Sequence, residues 1–171
     1  INFYKDGTFS VEPTTVNHER LIDLNSHLML FYTGVSRFST EITKSQILNM
    51  GNCYSQLNEM QDMVNEGSSI LTNPITSIED FGKLLNKSWL LKRTLSKKIT
   101  NTMIDDLYSV AINAGASGGK ILGAGGGGFI LFFVKPENKS RVKEALNKLT
   151  YIPFKFENSG SKVVLDQPNG F

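Results

Sequence analysis

Cysteine is nearly absent. Cys53 stands alone in 171 residues, so no internal disulfide can staple the chain, and a reducing, cytoplasmic setting is the expectation. Histidine is almost as scarce. His18 and His27 form no Cys/His cluster with metal-ligand spacing, and each reads as an ordinary structural or surface residue. No apolar run approaches the roughly 20 residues of a membrane span, and no secretory leader is visible, so no membrane partner is expected. A surplus of one charge is lacking too. The net charge of +2 is too small to make nucleic acid the expected partner. Repeats and low-complexity tails are missing. What remains is the composition of an ordinary globular domain, 40% hydrophobic and 20% charged, and long enough to bury a core.

The first residue is Ile1, and INFYKDGTFSV reads as a strand already under way, turning at Asp6-Gly7 into a hairpin. The chain is therefore expected to be a piece of a longer one. Residues 1–16 would belong to, or bridge towards, a missing N-terminal lobe, and residues 17–171 would form the domain proper. Asn17 to His27 reads as a helix and HLMLFYTG as a strand ending at Gly34. Ser39 to Glu66 reads as a long polar helix and GSSILTNP as a loop. Thr76 with Glu79 has capping-box spacing, opening a helix through Phe81, Leu85 and Trp89. Another helix is expected from Asn101 or Thr102, stopping at Gly115. A strand at Phe129–Val134, a helix over 138–149, and strands near 152–156 and 162–165 complete the pattern. That order predicts an α+β fold, a mostly antiparallel sheet with helices on one face.

Glycine, by contrast, is concentrated. Eight of the 15 glycines fall between Gly115 and Gly128, in GASGGKILGAGGGGFILFFV. A P-loop would need GxxxxGK followed by Ser or Thr; Gly115 to Lys120 is one residue short, and Ile121 follows the lysine. The dinucleotide pattern GxGxxG is matched by Gly123, Gly125 and Gly128, but it requires a strand before and a helix after, the reverse of the order here. The tail of an RNA-binding RNP1 strand fits Gly128-Phe129-Ile130-Leu131-Phe132, yet Gly125 and Gly127 stand where a cation and a stacking aromatic belong. A plain bend between helix and strand needs one or two glycines. Four in a row plus Gly123 exceed that, at roughly 1 kcal/mol of backbone entropy each relative to Ala.

GGKILGAGGGGFILFF resembles the third motif of the GHMP sugar and metabolite kinases. LFYTGVSRFS and SWLLKRTLS resemble segments of a narrower group, the D-glycero-D-manno-heptose phosphate kinases, and FKFENSGSKVV follows in the expected order. The resemblance implies a ferredoxin-like C-terminal lobe of a two-lobed kinase that uses ATP and Mg²⁺. It also implies transfer of the γ-phosphoryl group to the anomeric hydroxyl of a heptose 7-phosphate. The N-terminal lobe, with a PxxxGLGSSAA-type loop and the Mg²⁺-coordinating groups, has no counterpart in this sequence. ATP and Mg²⁺ would bind mainly through that lobe, and this chain alone would be inactive. By the resemblance, Lys120, Gly123, Ala124, Gly125, Gly126 and Gly127 border the phosphates and sugar, and the TGxxR segment, Gly34 and Arg37, faces the active site. Phosphoryl transfer asks for positioning and for charge or amide-dipole stabilisation, which glycine backbone can present.

The residues leave several roles open. At about 100° per residue Lys92 shares a helix face with Phe81, Leu85 and Ser88, while Lys83, Lys87 and Lys98 lie opposite. It either meets a substrate phosphate in an interlobe cleft or snorkels into solvent where the helix ends near Thr94. From Gly82 to Thr102 there are six basic residues, Arg93 among them, and no acid. The run is either a solvated face or a pull on a phosphosugar. Arg37 either holds phosphate or pairs with Glu41. Lys120 supplies charge or caps a helix turn. Asp105 and Asp106 suit a helix start by charge alone, Cys53 packs in or beside a helix, and no catalytic base can be named. Two rivals follow: a GHMP kinase for another sugar or a mevalonate-type alcohol, and a non-catalytic ferredoxin-like module binding RNA or a small ligand. The latter predicts exposed aromatics along Phe129–Phe133.

Overall fold

The computed structural model describes residues 1–35, 39–157, 160, 161 and 163. Asp6-Gly7 turns the chain as the sequence predicts. β1 (Asn2–Phe3) pairs antiparallel with β2 (Phe9–Ser10), and Gly7 has φ +85°. Asp6 Oδ1 accepts from both the N–H and the hydroxyl of Thr8, at 2.9 and 2.7 Å. The hairpin is a sheet of its own.

Asn17 caps α1 (His18–His27) by accepting from the Glu19 N–H at 2.9 Å, and the helix passes directly into β3 (Leu28–Tyr32). The long polar segment is two helices. α2 (Ser39–Asn49) ends in a 3₁₀ turn around Gly51, and α3 (Tyr54–Thr72) resumes beyond it. α3 runs through most of the stretch expected as a loop. Gly67 and Ile70 are buried there against Leu84 of α4 (Glu79–Thr94), and this packing outweighs the weak helix propensity of Gly67-Ser68-Ser69. The expected Thr76/Glu79 capping box does not form. Ser77 Oγ accepts from the Glu79 N–H at 3.3 Å, while the Thr76 carbonyl accepts from Arg20 at 2.6 Å. Arg20 reaches the Ile70 carbonyl at 2.6 Å as well, tying α1 to the α3–α4 junction.

α5 (Thr102–Asn113) ends as expected, but the glycine-rich stretch after it is partly strand. β4 (Ala116–Ile121) pairs with β5 (Phe129–Val134), with a bulge between Ala116 and Gly118. Glycine hides this strand from a propensity reading, because β4 is shaped by neighbours and not by its own side chains. A Cβ on Gly118 would meet the Gly82 carbonyl of α4, and one on Gly119 the Phe132 ring. α6 (Lys139–Ala145), preceded by a 3₁₀ turn at Pro136–Asn138, is shorter than expected. The next strand, β6, is Thr150–Ile152, and the expected last strand, 162–165, falls on residues outside those described except Val163.

The main sheet is antiparallel in the order β4-β5-β3-β6. Two split βαβ units interleave, β3 to β4 across α2–α5 and β5 to β6 across α6, which is the ferredoxin-like arrangement. The α+β class is as expected. Ile130, Phe132 and Val134 of β5 join Met29 and Phe31 in the main core with α5 and α6, while Phe133 alternates to a second cluster with Leu24, Leu28 and Ile78. α4 lies along edge strand β4, with Gly82 against Phe133 on one side and Trp89 reaching Tyr108 of α5 in the main core.

Candidate functional site

The turn between β4 and β5 is the glycine loop proper, residues 122–128. Its glycines answer first to the chain's own geometry. Gly123, Gly125, Gly126 and Gly128 have φ of +73°, +120°, +74° and +87°, the region that side chains with a Cβ avoid. At Gly125 a Cβ would stand 2.6 Å from the Ile99 carbonyl oxygen, and at Gly127 one would stand 2.7 Å from that of Val35. The loop is thus wedged between the segment after α4 and the segment after β3. Gly125–Gly127 are buried and Gly123 is exposed.

Four of the loop's carbonyls are held by donors from elsewhere in the chain. Lys92 donates to the Gly123 carbonyl at 2.6 Å, Gln46 to that of Ala124 at 2.9 Å, and Asn101 to that of Gly126 at 3.3 Å. The N–H and hydroxyl of Thr33 reach the Gly128 carbonyl at 2.9 and 2.8 Å. Two amides point inward: Gly126 donates to Ile99 at 2.8 Å and Gly128 to Val35 at 2.7 Å. Gly123 and Ala124 form a tight turn. Among the described residues the N–H groups of Gly123, Ala124, Gly125 and Gly127 meet no acceptor, and the carbonyls of Gly125 and Gly127 meet no donor.

Positive charge gathers beside the loop. Lys92 and Lys120 are both half-buried, and neither has a carboxylate within ion-pair distance among the described residues. Burial holds the Lys92 ammonium below the ordinary lysine range, and the neighbouring Lys120 charge adds to this; burial acts on Lys120 the same way. Much of the rest of the basic run is matched by acids: Lys83 by Asp80 on the same helix at 2.8 Å, Lys87 by Glu59 at 2.9 Å and Lys98 by Glu41 at 3.8 Å.

The sequence-predicted residues divide accordingly. Lys92 joins the glycine loop through Gly123, and Lys120 lies on β4 leading into it. Gly34, at φ +78°, sits between Thr33 and Val35, both hydrogen-bonded to Gly128. Arg93 does not join them, because its guanidinium pairs with Asp105 at 2.9 Å. Asp105 also accepts from the Thr100 hydroxyl at 2.6 Å, a role beyond suiting the helix start. Arg37 lies outside the described residues. Cys53 is buried at the start of α3, and His27 is buried, stacked on Phe133 at 4.8 Å. Gln46, Thr33 and Asn101 are the loop partners that the sequence reading missed; only Asn101 carried a local signal, as a helix start.

Residues 71–152 match the family described as GHMP kinases C terminal. The chain carries the C-terminal domain of the GHMP kinases. D-glycero-alpha-D-manno-heptose 7-phosphate kinase from Campylobacter jejuni is 30% identical over 151 residues, 86% of this chain and 44% of that protein. The bifunctional fucokinase/GDP-fucose pyrophosphorylase of Arabidopsis thaliana is 24% identical over 135 residues, 77% of this chain and 12% of that protein. In three dimensions a D-glycero-D-manno-heptose 1-phosphate kinase from Bacteroides thetaiotaomicron has the same fold, with TM-score 0.63 at 22% identity. The match covers 90% of this chain and 40% of that one. The chain spans less than half the length of the curated relatives it matches. No helix among the described residues is long and apolar enough to cross a membrane.

Proposed function

We propose that this GHMP-kinase domain serves, with an N-terminal lobe, an ATP-dependent sugar kinase that phosphorylates the anomeric hydroxyl of a heptose 7-phosphate. The observation that carries this reading is the glycine loop with four amides, at 123, 124, 125 and 127, that meet no acceptor among the described residues, and two half-buried lysines beside it. Amides and ammonium groups without internal anions are complementary to phosphate oxygens. In the transfer the acceptor oxygen bonds to the γ-phosphorus as the bond to the β–γ bridging oxygen breaks. Charge on the equatorial oxygens is then stabilised by fixed donors. The half-buried lysines suit the acceptor's or donor's phosphates; Lys92 has donors to spare beyond its bond to Gly123. Arg37 and Gly34 are proposed to border the sugar.

Mg²⁺ does not fit this chain's own residues, since no group of three His, Cys, Asp or Glu that could hold a metal occurs among those described. Its ligands are assigned to the other lobe. The hairpin of residues 1–16 is proposed to bridge towards that lobe. Ile1, Phe3, Phe9 and Val11 are between 65 and 79% exposed, a face that would be covered on docking. The RNA-binding reading is disfavoured because Phe132 and Phe133 are fully buried, leaving Phe129, tilted against the Tyr32 ring, as the one exposed ring of β5.

The test is an acceptor panel on the whole protein with ATP: heptose 7-phosphate, fucose and mevalonate. Preference for the heptose phosphate is expected. Preference for fucose or mevalonate would reassign the acceptor, and turnover by residues 1–171 alone would overturn the division between two lobes.

A further inference from the structure

The glycine loop has a physical peculiarity that its sequence motif does not account for. Backbone amide and carbonyl of one peptide lie antiparallel across a planar trans bond, and no cis bond occurs among the described residues. Whatever holds the carbonyl of one residue therefore aims the N–H of the next in the opposite direction. Lys92 holds the Gly123 carbonyl, so it aims the Ala124 amide; Asn101 holds the Gly126 carbonyl, so it aims the Gly127 amide. Both of these amides lack an acceptor among the described residues, and Gly127 is buried. A buried, unpaired N–H is costly, about 1–3 kcal/mol, and its persistence points to an acceptor supplied from outside the chain.

Asn101 is unusual among the donors because it serves two elements. Its Oδ1 accepts from the Ile104 N–H at 3.1 Å and caps α5, while its Nδ2 donates to Gly126. Two residues before it, Ile99 blocks any Cβ at Gly125 and accepts from the Gly126 amide. The start of α5 and the loop are thus one rigid unit.

We propose that Asn101 is a positioning residue for phosphoryl transfer: by holding the Gly126 carbonyl inward it aims the Gly127 amide at a phosphate oxygen of the bound donor. This rests on the kinase reading above, which did not assign Asn101. Side chain and ligand do not touch; the asparagine acts through the peptide between them.

Two substitutions in the whole protein separate this role from capping. Asn101→Asp and Asn101→Ser keep a good cap oxygen for Ile104 but remove the amide donor to Gly126. Both are expected to melt close to the unmutated protein. Both should lose on the order of 10- to 100-fold in kcat, as misplacement of a catalytic donor does, with a smaller change in acceptor KM. A kcat within twofold of the unmutated value overturns the proposal, and so does a loss of activity matched by loss of melting temperature. An unmutated protein inactive on every acceptor counts against the kinase reading instead. A second arm then decides: in ¹⁵N-labelled whole protein titrated with ATP, the Gly127 amide should shift, and in Asn101→Asp it should not. An unshifted Gly127 amide in the unmutated protein, or the same shift in both proteins, overturns the assignment.

Discussion

Gly125→Ala is the substitution that best isolates why the loop is made of glycine, and Gly123→Ala is its internal control. Both positions have positive φ, +120° and +73°, but only at Gly125 would the new methyl meet the chain, at 2.6 Å from the Ile99 oxygen. Nothing lies within 4 Å of a Cβ at Gly123. Positive φ costs an L-residue roughly 1–2 kcal/mol, offset by about 0.4–1 kcal/mol from the stiffer unfolded chain. Gly123→Ala should therefore destabilise by about 1 kcal/mol or less. Overpacking against backbone adds typically 1–3 kcal/mol, and the obstacle here is main chain, which cannot rotate away as a side-chain tip can. Gly125→Ala should reach about 2–4 kcal/mol, or a melting temperature lower by roughly 4–16 °C for a chain of this size. Urea unfolding with an unchanged slope would confirm that the loss is stability and not altered compactness. If Gly125→Ala proves no worse than Gly123→Ala, the wedge against Ile99 is not what fixes this residue.

Gly118→Ala should destabilise by about 3 kcal/mol or more in the same assay, because its Cβ would enter the Gly82 carbonyl and the backbone of α4 at Asn86; tolerance would mean that α4 can move off β4. Stability should also rise with pH just below the ordinary lysine value of 10.5. Lys92 and Lys120 have lowered folded values, so the native state sheds its protons before the unfolded state does, and the penalty of burying charge is relieved as pH climbs. The double variant Lys92→Met, Lys120→Met should flatten that rise in pH-dependent melting; an unchanged slope would refute it. Phosphate-ligand affinity should run the other way and fall over the same window, as the ammonium groups are lost.

The fold was legible where local chemistry and tertiary demand agree. The Asp6-Gly7 turn, the Asn17 and Asn101 caps and the apolar run of β5 each specify one local structure, and packing confirms it. β4 was illegible for a definite reason: Gly118 and Gly119 carry no pattern, and their conformation is set by Gly82 and Phe132, far away in sequence. α3 past Gly67 failed likewise, since its propensity is poor and its burial against Leu84 is non-local. The pairing of the basic run by Asp80, Glu59, Asp105 and Glu41 was equally out of reach, because three of the four acids come from other elements.

The glycine loop shows how one motif can meet two demands that sequence cannot separate. Close approach to something was correctly inferred from the glycines, but the something at Gly125 and Gly127 is the chain itself, at Ile99 and Val35. A ligand reading therefore cannot rest on glycine count. It rests on free donors beside unanswered charge: the amides at 123, 124, 125 and 127 meet no acceptor among the described residues, and Lys92 and Lys120 next to them meet no carboxylate there. The carbonyls of Gly125 and Gly127 meet no donor among the described residues either, so the sign is set by the two half-buried ammonium groups: free amides flanked by Lys92 and Lys120 have the polarity that an anion requires.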